Sequence, residues 1–201
     1  MRKFLGSLLE VLEIAAVAVA AVFVIRTYLV QPFLVSGSSM SPTFRNGDYV
    51  LVDELTYHLR PPERGEVVVF HDPQDPATYF IKRIIGLPGE RIVIKDNAIT
   101  VYNSQNPSGF TLDETYLPAG TPVGPGNCTG GTLVAGACTY RLTAGEYLAL
   151  GDNRELSYDS RDWGPLPAKD IVGLVRVRLW PLDSMTAFAA PAYPTTSTST
   201  P

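Results

Sequence analysis

Three segments of the sequence could carry out chemistry, and the first is a serine-rich stretch at residues 34–44 (LVSGSSMSPTF). The stretch follows an apolar run and turns at Pro42, so it can present one serine hydroxyl as a nucleophile while a backbone N–H faces an oxyanion. Serine and proline are also typical of plain turns. By itself the segment leaves both a nucleophile and a simple turn open.

The second feature is Lys82, which stands within the strongly apolar segment 79–86 (YFIKRIIG). Side chains alternate between the two faces of a strand, so Lys82 shares a face with Phe80 and Ile84 and is expected to be desolvated. Burial favours the neutral amine over the ammonium ion, whose usual pKa is near 10.4, and a neutral amine can accept a proton from serine. A lysine that protects a sheet edge from aggregation is the alternative interpretation.

The third feature is the dense polar segment 151–164 (GDNRELSYDSRDWG), in which carboxylates and guanidinium groups alternate around Ser157. Such a segment can hold a reactive side chain in place through charge-assisted hydrogen bonds. A charged surface loop would have a similar composition. The functional interpretation of each segment is favoured by the presence of the other two in the same chain.

Composition excludes several other kinds of chemistry and partner. Sixteen Lys and Arg face twenty Asp and Glu, and no basic run is longer than two, so nucleic acid is not expected as a partner. The chain has two Cys and two His, which cannot form a structural zinc site of the usual spacing, so metal chemistry is not expected. His58 and His71 are expected at the surface, not in a Ser/His/Asp triad.

The elements that must position these residues are mainly strands. The body of the chain is predicted to be mostly β and antiparallel, and no alternation of strands with helices indicates a Rossmann-like sheet. Turn residues such as Asn46-Gly47 and Asp96-Asn97 separate the apolar segments. The predicted strands are residues 48–52, 66–70, 80–85, 91–94, 98–102, 147–150 and 171–179.

The apolar run at residues 5–35 is predicted to hold an uncleaved transmembrane anchor. A helix from residue 13 to residue 30 covers roughly 25 Å at about 1.5 Å per residue, and Arg26 can extend its guanidinium toward the headgroups. Arg2 and Lys3 precede the run, which favours a cytoplasmic N-terminus and an external body.

Two alternatives exist for this run. A cleavable signal peptide could be cut near residues 16–18 (AVA), although Glu10 and Glu13 interrupt its apolar region. An interfacial helix would need a polar face, which residues 14–25 lack.

A segment rich in Gly, Pro and Thr at residues 103–141 is predicted to be an inserted loop or hairpin. It holds both cysteines, Cys128 and Cys138, for which a disulfide is favoured if the body lies outside the cytoplasm, with free thiols as the alternative. The predicted organisation is a cytoplasmic segment at 1–10, an anchor at 11–30, a β domain at 31–102 and 142–182, the insert at 103–141, and a disordered tail at 183–201.

Five blocks in a fixed order closely resemble the bacterial type I signal peptidases, also called leader peptidases, which are membrane-bound serine proteases with a Ser/Lys dyad. The resemblance runs from residue 26 to residue 182. It implies an antiparallel β catalytic domain, of a fold shared with the self-cleaving repressors, behind an N-terminal transmembrane helix, and no cofactor. The blocks are residues 26–33 (RTYLVQPF), 39–43 (SMSPT), 64–70 (RGEVVVF), 82–89 (KRIIGLPG) and 151–164.

The resemblance implies that Ser39 is the nucleophile and that Lys82 is the general base. Ser157 would orient the lysine. Asp159 and Arg161 would form a supporting ion pair, with Gly151 among the supporting residues.

One position departs from part of the family. Gly37 stands where some members carry a serine that contributes to the oxyanion hole, so the backbone N–H of Ser39 is the expected donor and Ser38 or Ser36 a possible second one.

The resemblance also implies a substrate class: exported preproteins cut after a small-residue Ala-x-Ala site, at a bacterial plasma membrane and beside the export machinery. A self-cleaving autoprotease of the repressor type, an inert membrane-tethered binding module, and a protease specialised for a few substrates remain alternatives. The residues expected to line shallow apolar substrate pockets are Phe33, Val35, Met40, Phe44, Phe80 and Ile81.

Overall fold

The computed structural model of the chain describes residues 10–19, 30–191 and 193. Residues 10–19 are helical and are called α1. Among the described residues, no helix has the length and apolar character needed to cross a membrane. The predicted cytoplasmic segment, residues 1–10, and the predicted anchor, residues 11–30, lie partly outside the described residues, so the anchor stays a prediction.

The described part of the chain is mostly β, and every strand pair is antiparallel, as predicted. The short helices are α2 (Thr56–Leu59) and α3 (Ser160–Trp163), with 3-10 turns at Ala168–Asp170 and Leu182–Ser184. The strands are β1 (Val30–Leu34), β2 (Tyr49–Asp53), β3 (Val67–His71), β4 (Tyr79–Gly86), β5 (Arg91–Lys95), β6 (Ala98–Tyr102), β7 (Phe110–Thr111), β8 (Thr132–Val134), β9 (Ala137–Arg141), β10 (Glu146–Leu150), β11 (Leu166–Pro167), β12 (Ile171–Trp180) and β13 (Thr186–Ala187).

The larger sheet has the strand order β1-β2-β12-β3-β4-β10-β11. Strand β13 pairs with the C-terminal half of β12. The long strand β12 lies between two hairpin-like pairs, β1–β2 and β3–β4, because Val175 pairs with Val52 on one side and Gly173 pairs with Val69 on the other. A Cβ at Gly173 would lie 2.7 Å from the carbonyl oxygen of Asp53, so the close approach of β12 to β2 at this point requires a glycine.

This sheet curls strongly. The rings of Phe33 on β1 and Tyr79 on β4 lie 5.3 Å apart, although three strands separate β1 from β4 in the sheet order. Neighbouring strands are about 4.8 Å apart, so a flat sheet would hold these two strands roughly 19 Å apart. The curl closes one set of apolar side chains into a core, whose fully buried members include Phe44, Val50 and Val52.

The smaller sheet has the order β7-β6-β5-β9-β8 and its own apolar core. It extends beyond the predicted insert at 103–141, because Ile92 on β5 pairs with Val101 on one side and with Tyr140 on the other. The subdomain therefore begins at β5. Within it Cys128 and Cys138 form a disulfide with a Cα–Cα distance of 5.7 Å.

The structure differs from the predicted disordered tail at its start. Residues 182–191 form a strap across the larger sheet, in which Thr186 pairs with Arg178. Apolar contact explains the order, since the ring of Phe188 lies 4.5 Å from that of Phe44 and packs on the same core. Residues 192 and 194–201 lie outside the described residues.

Candidate active site

Ser39 and Lys82 meet at one end of the curled sheet, where the turn after β1 passes in front of β4. The distance from Lys82 Nζ to Ser39 Oγ is 3.0 Å, within hydrogen-bonding range, and Nζ also donates to the carbonyl oxygen of Ile81 at 3.0 Å. Lys82 is only 3% exposed. Two side chains 43 positions apart in sequence are therefore in direct contact, as a serine nucleophile and a lysine base would have to be.

Burial lowers the pKa of Lys82 from 10.5 to about 8. Desolvation is the largest cause, because the charged ammonium loses its water; the carboxylates of Asp159, Asp152 and Asp72 act in the opposite direction. A lysine with this pKa carries a usable fraction of neutral amine near neutral pH, which is what a general base for serine requires.

The polar loop after β10 holds the backbone of the Ser39 turn. The backbone N–H of Asn153 donates to the carbonyl oxygen of Ser39 at 3.0 Å, and the Asn153 side-chain amide donates to that of Ser38 at 3.1 Å. The turn is also held from its other side, where the N–H of Gly37 donates to Asn46 Oδ1 at 2.9 Å. Sequence reasoning missed Asn46 and Asn153, because neither contact leaves a signal in the local sequence pattern.

A buried ion pair lies directly behind the dyad. Arg83, next to Lys82 on β4, donates from Nε and Nη2 to the two carboxylate oxygens of Asp152, at 2.8 and 2.6 Å. Thr43 Oγ1 donates to the same carboxylate at 2.6 Å. One carboxylate thus links the Ser39 turn to the strand that carries Lys82. Sequence analysis did not identify this pair, although Asp152 stands in a segment that it singled out.

A second buried ion pair joins Asp159 and Arg161, as expected. Arg161 donates from Nε and Nη2 to Asp159 at 2.8 Å each, and Asp159 is fully buried. Asp159 also caps α3 and accepts the backbone N–H of Gly151 at 3.0 Å. Arg161 Nη2 donates to the carbonyl oxygen of Arg154 at 2.7 Å. The pair therefore closes the loop that contacts Ser39.

Ser157 is buried beside this loop but does not make the expected contact with the lysine. Its Oγ has no hydrogen-bond partner in the part of the chain that the structure describes, while Lys82 Nζ bonds to Ser39 and Ile81. A Cβ at Gly151 would lie 2.1 Å from Ser157 Oγ and 2.4 Å from the carbonyl oxygen of Ser39. Only glycine fits between the two serines, so Gly151 allows their close approach.

The turn around Ser39 has backbone N–H groups without an acceptor among the described residues, as the binding of an oxyanion requires. Gly37 has a φ of 94° and its N–H is already bonded to Asn46, which removes it from the candidate donors. Across residues 30–191 no acceptor lies within hydrogen-bonding distance of the N–H groups of Ser38 and Ser39. The structure therefore favours these two N–H groups over Gly37.

An apolar cleft of about 320 Å³ opens in front of the dyad. Four of the six predicted pocket residues line it, namely Phe33, Val35, Phe80 and Ile81. The other two, Met40 and Phe44, are 1% and 0% exposed and pack in the core behind the turn instead. Side chains that sequence reasoning did not include also line the cleft: Leu34, Val50, Val69, Tyr79, Leu156 and Tyr158.

Comparison with known proteins identifies the family of this chain. The profile of the family described as "Signal peptidase, peptidase S26" matches residues 8–180. Signal peptidase I of Leptolyngbya laminosa is 32% identical over 193 residues, covering 92% of this chain and 85% of that protein. Signal peptidase IB of Staphylococcus aureus is 35% identical over 180 residues, covering 87% and 90%.

The chain is also similar to a third curated relative and to a solved structure. A probable signal peptidase I-2 of Synechocystis sp. is 36% identical over 182 residues, covering 87% of this chain and 74% of that protein. A solved signal peptidase I of Enterococcus faecalis V583 is 25% identical, with a TM-score of 0.43, and covers 58% of this chain and 97% of that one. The chain belongs to the signal peptidase family, peptidase S26, and is a serine endopeptidase.

Proposed function

We propose that this enzyme removes N-terminal signal peptides from exported preproteins, with Ser39 as the nucleophile and Lys82 as the general base. The observation that carries the proposal is the 3.0 Å contact between Lys82 Nζ and Ser39 Oγ, in a buried position at the edge of an apolar cleft.

The chemistry follows from the lowered pKa of Lys82. The neutral amine takes the hydroxyl proton of Ser39 while Oγ attacks the scissile carbonyl carbon, and the oxyanion accepts hydrogen bonds from the backbone N–H groups of Ser38 and Ser39. When the C–N bond breaks, the Lys82 ammonium gives its proton to the leaving amine, which leaves an acyl ester on Ser39. Lys82 then takes a proton from a water, whose oxygen attacks the ester carbonyl carbon. As the bond from this carbon to Ser39 Oγ breaks, the Lys82 ammonium returns the proton to Oγ, and the new carboxyl end is released.

The shape of the cleft supports a preference for small side chains next to the cut. Its walls are apolar, and the bulky rings of Phe33 and Phe80 leave limited room between β1 and β4. The edge strand β1 has one partner, β2, in the described sheet, so its other side can pair with an extended peptide. We propose an Ala-x-Ala site held in this extended form.

The location is part of the same proposal. We infer that the N-terminal apolar run anchors the protein in the plasma membrane of a bacterial cell, with the catalytic domain outside and beside the export machinery. The disulfide between Cys128 and Cys138 supports an oxidising location for the domain. Two positive charges ahead of the run, Arg2 and Lys3, favour a cytoplasmic N-terminus.

The test is cleavage of an Ala-x-Ala preprotein by the detergent-solubilised full chain. Ser39→Ala and Lys82→Ala should each lower kcat/KM by about four orders of magnitude or more, as loss of a nucleophile or base does in other serine proteases. The matched controls are Ser108→Ala and Lys95→Ala, at exposed positions outside the cleft, which should retain full activity. Folded Ser39→Ala protein that still cuts at the wild-type rate would disprove the dyad assignment.

A further inference from the structure

Two apolar side chains in the otherwise polar loop after β10 are unusually exposed. Leu156 is 71% exposed and Tyr158 is 47% exposed, and both line the cleft in front of Ser39. The residues between and beside them are fixed, since Ser157 and Asp159 are buried. An exposed apolar side chain on a fixed backbone next to a cleft is typical of a surface that contacts a ligand.

Tyr158 is held at both ends of its side chain. Its ring lies edge-on to that of Phe80, with centroids 6.4 Å apart and planes at 83°. Its hydroxyl donates to Gln74 Oε1 at 2.9 Å, and the Gln74 backbone N–H in turn donates to Asp72 Oδ1 at 2.9 Å. The contact therefore connects the loop after β10 with the turn between β3 and β4.

The position of this connection determines what it can do. Phe80 lies on the wall of the cleft two residues before Lys82, and its ring is 5.1 Å from Lys82 Nζ. Tyr158, which is itself partly exposed, packs against Phe80, while Phe33 and Tyr79 make another ring contact in the wall of the same cleft. The space for a substrate side chain beside Phe80 is therefore limited by the Tyr158 ring.

We propose that Tyr158 is a specificity-determining residue, which limits the size of the substrate side chain accepted beside Phe80, and that Gln74 is the positioning residue that holds it. The inference rests on the proposed function and names what restricts its substrate class. The apolar side chain of Leu156 extends the same contact surface along the cleft. Pockets of this kind discriminate between side chains differing by one methylene by about 10- to 200-fold.

The experiment compares three preproteins with the detergent-solubilised full chain: an Ala-x-Ala reference and two versions in which either alanine is replaced by valine. The measured quantity is the ratio of kcat/KM for each valine substrate to that for the reference. Tyr158→Ala should raise this ratio about tenfold or more at one of the two positions. Tyr158→Phe keeps the ring against Phe80 but loses the hydroxyl that bonds to Gln74, and Gln74→Ala removes the other partner of the same hydrogen bond. Both variants should therefore raise the ratio by similar amounts, and by less than Tyr158→Ala does.

Each result bears on the inference. A role in stability alone would lower the rate on all three substrates equally and leave the ratio unchanged, and an unchanged ratio in active protein overturns the inference while the proposed function stands. If Tyr158→Ala does not fold, two milder variants give the same test. Tyr158→Leu keeps an apolar side chain at this position, and Gln74→Ala leaves the Tyr158 ring intact. Wild-type protein that cuts none of the three substrates overturns the proposed function and this inference together.

Discussion

The Ser39 turn has unlike surroundings on its two sides. The side toward the cleft is apolar, with Leu156 and Tyr158 exposed to solvent. The side toward the interior is charged, with two arginine–carboxylate pairs in which the partners are almost fully buried: Arg83 with Asp152, and Arg161 with Asp159.

The difference shows how a lysine can stay partly neutral beside carboxylates. Asp152 and Asp159 both raise the pKa of Lys82, yet burial outweighs them. Each of these carboxylates also has its own guanidinium partner. The interior charges therefore serve mainly to fix the backbone, and the dry, apolar surroundings determine the protonation of Lys82.

The largest expected effect comes from replacing the proposed general base, with Lys82→Met. Cleavage should be lost, while the free energy of unfolding at pH 7 should rise by up to about 3 kcal/mol, because the folded wild type keeps a buried ammonium whose pKa has fallen from 10.5 to about 8. Between pH 8 and 10.5 the unfolded chain binds more protons than the folded one, so wild-type stability rises with pH in this window.

Urea unfolding of both proteins at about pH 7 and about pH 9.5 measures this prediction. The stability gap should narrow by about 2 kcal/mol at the higher pH. Over the same range, wild-type kcat/KM should increase about tenfold per pH unit up to about pH 8 and then level off. Lys95→Met, at an exposed lysine, is the control. If the difference in unfolding free energy between the two proteins does not change with pH, burial is not what lowers the pKa of Lys82.

The second-largest effect is expected from Asp152→Asn, which removes one carboxylate of the buried ion pairs behind the Ser39 turn. This change leaves the Arg83 guanidinium buried without its counter-ion and should lower the free energy of unfolding by about 3 kcal/mol. Activity should also fall, since the carboxylate joins Thr43 to the β4 strand. Removing a carboxylate that raises the pKa of Lys82 should move the midpoint of the pH profile below about 8.

Glu155→Gln, at an exposed acidic residue in the same loop, is the matched control and should leave stability and the pH profile unchanged. An Asp152 variant whose pH midpoint lies above about 8 would show that this carboxylate acts on Lys82 in some other way than through its charge.

The smallest effect on activity is expected in the smaller sheet, by replacing both Cys128 and Cys138 with serine. Without the disulfide, the short loop between the two positions is no longer closed in the unfolded chain, and the free energy of unfolding should fall by about 3 kcal/mol because of the added chain entropy. The loop contacts the catalytic domain through Thr129, whose N–H donates to the carbonyl oxygen of Arg161 at 3.1 Å, and not through the cleft. Thermal unfolding and kcat/KM are the measurements, and kcat/KM should stay within about twofold. A much larger loss of activity would mean that the disulfide loop helps to position Arg161.

Local sequence patterns predicted much of this molecule. The seven predicted strands all occur, with ends shifted by at most one residue, because alternation and turn residues are local signals. Strand β1 was missed because it continues an apolar run that already suggested a membrane segment and contains Pro32. Strands β8 and β9 form a hairpin in the segment predicted to be an inserted loop or hairpin, although its Gly and Thr content gave no strand bounds.

The candidate site was predicted less completely than the strands. The burial of Lys82 followed from the pattern of its own strand. The curl of the sheet, which sends Met40 and Phe44 into the core, depends on contacts between distant strands and leaves no local signal. The same holds for the bond between Asn153 and the carbonyl oxygen of Ser39, and for the pair of Arg83 and Asp152, which are 69 positions apart.

The place of β12 in the sheet has a consequence for when the enzyme becomes active during its own synthesis. Ser39 follows β1 and Lys82 lies on β4, so both are made early, but the two hairpins that carry them are joined in the sheet by β12, residues Ile171–Trp180. A growing chain that has not yet released β12 has no sheet to bring the two hairpins together. We therefore expect a nascent chain that stops short of β12 to lack the contact between Ser39 and Lys82, and so to be inactive.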